Sequence, residues 1–477
     1  MLNRDFFQQI KCNLSYHPTV DQENAIALLS DYVFSSGRQR VFLLEGYAGT
    51  GKTSLVGALV KTLDEWNMKC VLLAPTGRAA KVFAHYAGHS AYTIHRMIYR
   101  QRVFSHEMDN FTLNINLHKN TLFIVDEASM VANEGLSGGL FGGGRLLDDL
   151  ISYVYNDSNC RLIMVGDTAQ LPPIGEKESP ALSVPKLEEY GLSVCKSLLT
   201  QVVRQGNRSG ILYNATCLRE WIRGGSHCLL PKIQLYGFQD IKAITGDELI
   251  EQIQASYDTV GMEETAIICR SNKRANLYNN GIRNMILYRE DELNAGDLLM
   301  VAKNNYYWTS GNGRFDFIAN GDMAVVRRVR KIDEDMYGFR FADVLLVFPD
   351  YDNLEIEVKI LLDTLHSDAP SLQKEQSDNL FYAVLEDYAD IPNKREQMKK
   401  VKENKWYNAL QVKYAYAFTC HKAQGGQWKH VFIDQGYLSG MENLSDYCKW
   451  LYTAFTRATE KLYLVNWSSD QYSKEKE

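Results

Sequence analysis

A glycine-rich loop at residues 41–58 has the residue types and spacing to bind phosphate. The stretch reads VFLLEGYAGTGKTSLVGA, an apolar run that breaks into glycines and then continues with a helical pattern. Glycine leaves the backbone free to bend and to present N–H groups to an anion at a helix N-terminus. Lys52 is expected to reach the β- and γ-phosphates, and the Thr53 hydroxyl to bind Mg²⁺. The loop therefore predicts a nucleoside triphosphate site made by Gly46, Tyr47, Ala48, Gly49, Thr50, Gly51, Lys52 and Thr53.

An apolar run at residues 121–127, TLFIVDE, ends in two carboxylates that suit a metal-assisted hydrolysis. Charges at the end of a buried strand are costly without a partner, and a Mg²⁺ ion at the upstream loop is such a partner. Asp126 is expected to hold the water shell of the metal, and Glu127 to polarise an attacking water. A strand that simply emerges into solvent has a similar pattern, but the upstream loop favours the catalytic interpretation.

Two glutamines complete the candidate nucleotide site. Gln170 follows another apolar run in RLIMVGDTAQLPPIG, at a strand end where open α/β sheets bind ligands, and is a candidate sensor of the γ-phosphate. Gln22 lies at the start of a predicted helix upstream of the loop. Its amide can hydrogen-bond to both donor and acceptor groups on an adenine edge, although an isolated glutamine is more often a surface residue.

The elements that position these residues follow an α/β alternation. Apolar runs beginning at Val41, Cys70, Thr121 and Arg161 alternate with helical patterns and predict a doubly wound domain. Alternating apolar and polar residues predict a hairpin insertion at about residues 96–120.

A second alternation follows the first and is itself interrupted. Its predicted strands are TAIIC, YAYAF, HVFID and LYLV, and short strands with turn signals between the first two predict an inserted β-barrel. The predicted domains are residues 1–195 for the first α/β unit, 196–296 with 407–477 for the second, and 297–406 for the barrel.

Composition limits the class of protein. A chain of 477 residues with 45% hydrophobic and 23% charged residues is typical of a globular protein with more than one domain. It contains no apolar run of roughly 20 residues and no signal-peptide core, which predicts a cytoplasmic protein without a membrane partner. The nine cysteines form no C-x-x-C pair, so no zinc or redox site is predicted. With a net charge of −6, any nucleic acid must bind in a local groove.

Read in order, a series of motifs resembles the superfamily 1 helicases of the 5′→3′ branch, near RecD-like and Dda-like enzymes and more distantly the Pif type. The resemblance extends from about Gln22 to Val465 and implies two RecA-like P-loop domains with ATP between them, a β-hairpin pin inserted in the first and an SH3-like β-barrel inserted in the second. The motifs are GYAGTGKT, APTGRAA, TIH, VDEAS, GDTAQLPPIG, LTQVVRQ, NGDMAVV, FTCHKAQGGQW and LYTAFTRAT.

The resemblance also assigns roles to residues. It implies adenine recognition by Gln22, γ-phosphate sensing by Gln170, and closure of Arg204 and Arg457 from the second domain onto the transferred phosphate. A guanidinium offers fixed donors to phosphate oxygens, so such arginines couple hydrolysis to closure of the cleft. The implied strand-binding residues, which suit backbone phosphates rather than bases, are Thr76, Arg78, Thr93, His95, His421, Lys422 and Gln424.

The implied activity is ATP-dependent 5′→3′ unwinding of DNA by a protein that translocates on single strands and opens single-strand/double-strand junctions. The implied partners are proteins of recombination, repair or replication. Two alternatives stay open: a translocase that strips proteins from single strands, and an ATP-switched single-strand-binding subunit. Polarity rests on the resemblance alone, and the polar segment at residues 363–405 receives no role from it.

Overall fold

The computed structural model describes residues 2–35, 37, 39–101, 111–133, 145–156, 159–203, 209–224, 230–309, 317–436 and 444–473. None of the helices in these ranges is both long and apolar enough to cross a membrane. The N-terminal elements are α1 (Leu2–Asn13), α2 (Val20–Phe34), β1 (Arg40–Gly46), α3 (Lys52–Glu65), β2 (Lys69–Ala74), α4 (Gly77–Ala87), β3 (Ala91–Thr93), α5 (Ile94–Ile98), β4 (Tyr99–Gln101), β5 (Phe111–Leu113), β6 (Thr121–Val125), α6 (Leu146–Tyr155), β7 (Arg161–Gly166), α7 (Val184–Glu189) and β8 (Ser193–Leu199).

The first α/β unit is built on a parallel sheet of order β3-β2-β6-β7-β1-β8. The predicted strands β1, β2, β6 and β7 are present, and apolar cores cover both faces of the sheet. The outer strands were not predicted, because β3 has only three residues and most residues of β8 are not fully buried. The predicted boundary at residue 195 is wrong, since it falls inside β8, which pairs with β1 as far as Leu199.

An antiparallel pair lies within the predicted hairpin insertion. Tyr99 of β4 stands opposite Leu113 of β5, and residues 102–110 lie outside the described residues. The second strand ends at Leu113, well before the predicted end of the insertion at about residue 120. Beyond it the side chain of Asn116 is buried, and its Nδ2 donates to the Tyr153 carbonyl, 3.1 Å away.

The second α/β unit is a parallel sheet of order β16-β10-β17-β18-β9, and the predicted barrel is closed in the order β11-β12-β13-β14-β15. One apolar core is continuous between them. The elements are α8 (Gly210–Gly224), β9 (Ile241–Ile244), α9 (Leu249–Val260), β10 (Thr265–Cys269), α10 (Asn272–Met285), β11 (Leu298–Val301), β12 (Met323–Met336), β13 (Phe339–Phe348), β14 (Leu354–Leu361), α11 (Lys374–Glu386), α12 (Lys394–Lys402), β15 (Leu410–Tyr414), β16 (Ala417–Thr419), α13 (Cys420–Ala423), β17 (Trp428–Asp434), α14 (Leu444–Phe455) and β18 (Ala458–Val465).

Two predictions for this half need correction. The barrel extends beyond residue 406, because β15 closes it by pairing with both β11 and β14. The predicted strand YAYAF is divided between β15 of the barrel and β16 of the sheet. Asn279 fixes the turn between them: its Nδ2 donates to the carbonyls of Tyr414 and Ala417, and its Oδ1 accepts from the N–H groups of Tyr416 and Ala417.

Residues 363–405, to which the resemblance assigns no role, contain α11 and α12. These two helices pack as a pair on the barrel. Their buried residues Leu380, Val384 and Val401 form an apolar cluster with Phe341 of β13 and Leu361 of β14. The basic side chains of α12 lie on the exposed side of the pair. The pair is therefore an integral extension of the barrel.

Candidate active site

The glycine loop joins β1 to α3 in the conformation that its sequence requires. Gly49 and Gly51 have φ values of +76° and +81°, which residues with a side chain rarely adopt. A Cβ on Gly46 would lie 2.8 Å from Thr50 Oγ1. Lys52 lies across the loop, where its Nζ donates to the carbonyls of Gly46 (2.6 Å) and Tyr47 (3.0 Å). Lys52 is therefore hydrogen-bonded to the same loop at which it is expected to bind phosphate.

Gln22 is buried against the same loop. Its Nε2 donates to the Thr50 carbonyl (2.9 Å) and to the Tyr16 hydroxyl (3.1 Å), and its Oε1 accepts from the Thr19 N–H (3.0 Å) in a capping box at the start of α2. The amide therefore ties α2 to the loop, and base recognition would require it to exchange one of these partners. Tyr16, which lines the cleft, was missed from the sequence because a lone tyrosine carries no motif.

The two carboxylates stand at the end of β6 in a strained turn. Glu127 has a φ of +50°, in the left-handed region, and its N–H donates to Asp126 Oδ1 (2.9 Å). Burial, followed by the charge of Glu127, raises the pKa of Asp126 to about 7. The oxygen donors of Asp126, Glu127 and Thr53 line the same cleft, a donor set that fits Mg²⁺.

Gln170 is buried in the loop after β7, beside the carboxylates of the cleft. Its Oε1 has no hydrogen-bond partner among the described residues, although its side chain is nearly inaccessible and lines the cleft. A buried acceptor without a partner costs free energy, on the order of 1–3 kcal/mol. Such a cost is typical of a group kept for a ligand.

Replacing Gln170 is therefore expected to separate activity from stability. We expect Gln170→Ala to lower ATP turnover without lowering the melting temperature, because Oε1 has no hydrogen bond to any described residue. Gln424→Ala is the matched control for stability, since the Gln424 Nε2 donates to the Leu171 carbonyl (2.7 Å). A lower melting temperature for Gln170→Ala with unchanged turnover would contradict the sensor assignment.

Both α/β units line the cleft, which has a volume of about 550 Å³. Lys52 and Glu127 lie on one side, and Gly426 and Arg457 on the other. The buried Arg457 donates to the carbonyls of Thr453 (3.1 Å) and Gly426 (3.2 Å), so it is held by its own unit. The other predicted arginine, Arg204, lies outside the described residues.

The predicted strand-binding residues of the first unit have structural partners. The hydroxyls of Thr76 and Thr93 cap α4 and α5. The Arg78 guanidinium stacks on the Trp428 ring, 4.1 Å from its centroid, and donates to the Gln427 carbonyl (3.1 Å). Arg78 therefore contacts the second unit rather than an open surface.

The side chains of the remaining predicted strand-binding residues are partly or fully buried. Burial lowers the pKa of His95 to about 4, so this imidazole is neutral at pH 7. Burial also lowers the pKa of His421, and it lowers the pKa of Lys422 to about 8. Lys422, on α13, donates to Asn320 Oδ1 of the barrel.

Two further contacts join the α/β units near the predicted strand-binding residues. Gln424 joins the two units through its bond to the Leu171 carbonyl. The structure brings Thr76 and Gly425 together, since a Cβ on Gly425 would lie 3.1 Å from Thr76 Oγ1.

Fold and site together define a P-loop NTPase with two parallel α/β units and a nucleotide cleft between them. Two family models match the chain in sequence order: an AAA domain over residues 20–220 and a UvrD-like helicase C-terminal domain over residues 414–465. The first covers the phosphate loop and carboxylates, and the second covers Arg457.

The chain is also similar in sequence to individual proteins, two of which are DNA helicases. An uncharacterized protein of Acanthamoeba polyphaga mimivirus, R530, is 24% identical over 89% of this chain and 94% of its own length. The ATP-dependent RecD2 DNA helicase of Deinococcus radiodurans is 30% identical over 37% of this chain and 21% of its own length. The ATP-dependent DNA helicase Dda of Enterobacteria phage T4 is 24% identical over 59% of this chain and 60% of its own length.

A solved structure of a Bacteroides Pif1 helicase is 16% identical, with a TM-score of 0.48, over 97% of this chain and 95% of its own. The chain covers 21% of the length of RecD2 and 60% of that of Dda, so it spans only part of each. The two family models match in the order that the motifs predicted, and RecD2 and Dda are both named as ATP-dependent DNA helicases, which agrees with the resemblance of the chain to superfamily 1 helicases of the RecD and Dda type.

Proposed function

We propose that this protein is an ATP-dependent 5′→3′ DNA helicase that translocates on single-stranded DNA and opens duplex ahead of it. One observation carries the proposal: a single cleft places the phosphate loop and carboxylates of one unit opposite Arg457 of the other. Hydrolysis in such a cleft depends on how the two units approach each other, which couples chemistry to motion. DNA as the strand, and the polarity, are taken from the names of RecD2 and Dda and from the branch that the motifs resemble.

Residues of this chain have separate roles in the proposed hydrolysis. Lys52 would leave the carbonyls of Gly46 and Tyr47 and bind the β- and γ-phosphates. Glu127 would orient the attacking water and accept its proton. Arg457, with Arg204, would donate to the phosphoryl oxygens as charge develops on them. A bound Mg²⁺ held by Thr53 and Asp126 would neutralise charge on the phosphates.

The strand is proposed to cross the surface formed by both units and the barrel. Thr76 and Thr93 supply hydroxyls at the starts of α4 and α5, and Lys422 supplies a cation next to the barrel. We propose that the β4–β5 hairpin is the pin that meets the junction and that the barrel is SH3-like. Partner proteins from recombination, repair or replication, and a cytoplasmic location, stay predictions.

Stimulation of ATP hydrolysis by single-stranded DNA tests this function. We expect the hydrolysis rate of the purified protein with Mg²⁺ to rise when a single-stranded oligonucleotide is added, because a strand bound to both units favours closure. Lys52→Ala is the control without the phosphate contact, and it should stay inactive under both conditions. ATP binding without hydrolysis in the unaltered protein would contradict the motor and favour a passive switch.

A further inference from the structure

One phenol on α14 connects three parts of the molecule. The Tyr452 hydroxyl accepts a hydrogen bond from the Ala48 N–H (2.9 Å) and donates one to Asp167 Oδ2 (2.6 Å). Ala48 belongs to the phosphate loop, and Asp167 follows β7. A single oxygen atom therefore joins the phosphate loop, the loop after β7 and a helix of the other α/β unit.

The next residue along α14 extends this connection to both sides of the cleft. Thr453 Oγ1 accepts from the Leu171 N–H (2.8 Å), and the Thr453 carbonyl accepts from Arg457 Nε (3.1 Å). Gln170 lies between Asp167 and Leu171 in the same loop. The last turns of α14 therefore set where Gln170 and Arg457 stand relative to each other.

The bond to Asp167 lies in a buried and charged environment. Tyr452 is 1% exposed and does not line the cleft, so its ring has no direct access to a nucleotide. Burial raises the pKa of Asp167, whereas the charge of Lys52 and the hydrogen bond from Tyr452 lower it. Hydrogen bonds to buried carboxylates are among the stronger ones in proteins. Removing the phenol oxygen would leave both Asp167 and the Ala48 N–H short of a partner.

We propose that Tyr452 is a positioning residue for ATP turnover. It holds the phosphate loop, the loop after β7 and the helix that leads to Arg457 in one arrangement, and it does so without touching the nucleotide. This inference rests on the proposed ATPase function and adds to it the two hydrogen bonds that the Tyr452 hydroxyl makes with the first unit. It predicts that loss of these bonds affects the chemical step more than ATP binding.

Tyr452→Phe tests this inference because it removes only the oxygen. We expect kcat for DNA-stimulated ATP hydrolysis to fall about tenfold, with KM for ATP within about threefold of the unaltered protein. Tyr447→Phe is the matched control: Tyr447 is also buried on α14, but its hydroxyl donates to Gln435 Oε1 (2.6 Å) within the same unit. The kcat of the Tyr447→Phe protein should equal that of the unaltered protein.

A second variant weakens the other partner of the bond to Asp167. Asp167→Asn removes the charge from this acceptor and is expected to lower kcat in the same way. The double variant with Tyr452→Phe should lose no more kcat than the more impaired of the two single variants, because removing the phenol oxygen already removes the bond to Asp167. Additive losses in the double variant would overturn the inference. So would a Tyr452→Phe protein whose kcat is within twofold of the unaltered protein, or equal losses of kcat in the two phenylalanine variants. A lack of ATP hydrolysis in the unaltered protein would instead contradict the proposed function itself.

Discussion

Glu127→Gln is expected to abolish steady-state ATP hydrolysis while ATP binding persists. The substitution keeps the size of the side chain at the end of β6 but removes the base that accepts a proton from water. Loss of a general base typically lowers kcat by about 10² to 10⁴. Lys52, Thr53 and Asp126 are unchanged, so affinity for a fluorescent ATP analogue should stay close to that of the unaltered protein.

A carboxylate outside the cleft provides the control for this substitution. Glu189, at the end of α7, is exposed and pairs with Lys186 at 2.7 Å, so Glu189→Gln makes the same change of charge away from the site. Its turnover should equal that of the unaltered protein. Equal turnover in the Glu127→Gln protein would remove the assignment of Glu127 as the base.

Arg457→Ala is expected to have an effect of similar or greater size. Arginine fingers of this kind contribute about 10³ to 10⁵ in rate, because they bind phosphoryl oxygens as charge develops there. Arg457→Lys should recover little of the activity, since an ammonium keeps the charge but loses the planar fork. Measuring kcat and the affinity for ATP in both variants separates a loss of catalysis from a loss of binding.

The neighbours of Arg457 make a stability control necessary for this prediction. Its guanidinium donates to the carbonyls of Thr453 and Gly426, so Arg457→Ala also leaves these acceptors without a partner. Arg330→Ala on the barrel surface, where the arginine pairs with Glu357, is the exposed counterpart. If Arg457→Lys hydrolysed ATP as fast as the unaltered protein at an unchanged melting temperature, the role of a finger would be excluded.

The central strands and the phosphate loop were predictable because local patterns determine them. Long apolar runs marked β1, β2, β6 and β7, whereas β3, β8 and β9 are short or half exposed and gave no such signal. The division of YAYAF between the barrel and the second sheet was not predictable. It depends on Asn279, a residue distant in sequence that bonds to both sides of the turn.

Contacts between the two α/β units explain most of what the sequence did not reveal about the site. Arg78 stacks on Trp428, and Gln424 bonds to Leu171, although each pair is far apart along the chain. Tyr452 lies inside the motif LYTAFTRAT, yet nothing in that motif indicates a bond to Asp167. Motifs identify which residue types are present, but only the packing of the units shows which of them face one another.

Unwinding of two matched duplexes tests the central claim most directly. One duplex carries a 5′ single-stranded tail and the other a 3′ tail, and strand separation by the purified protein with ATP and Mg²⁺ is followed by fluorescence. We predict opening of the 5′-tailed duplex only, and none by the Glu127→Gln protein. Opening of neither duplex, despite DNA-stimulated hydrolysis, would contradict unwinding and favour a translocase that moves on single strands. Opening of the 3′-tailed duplex alone would contradict the polarity.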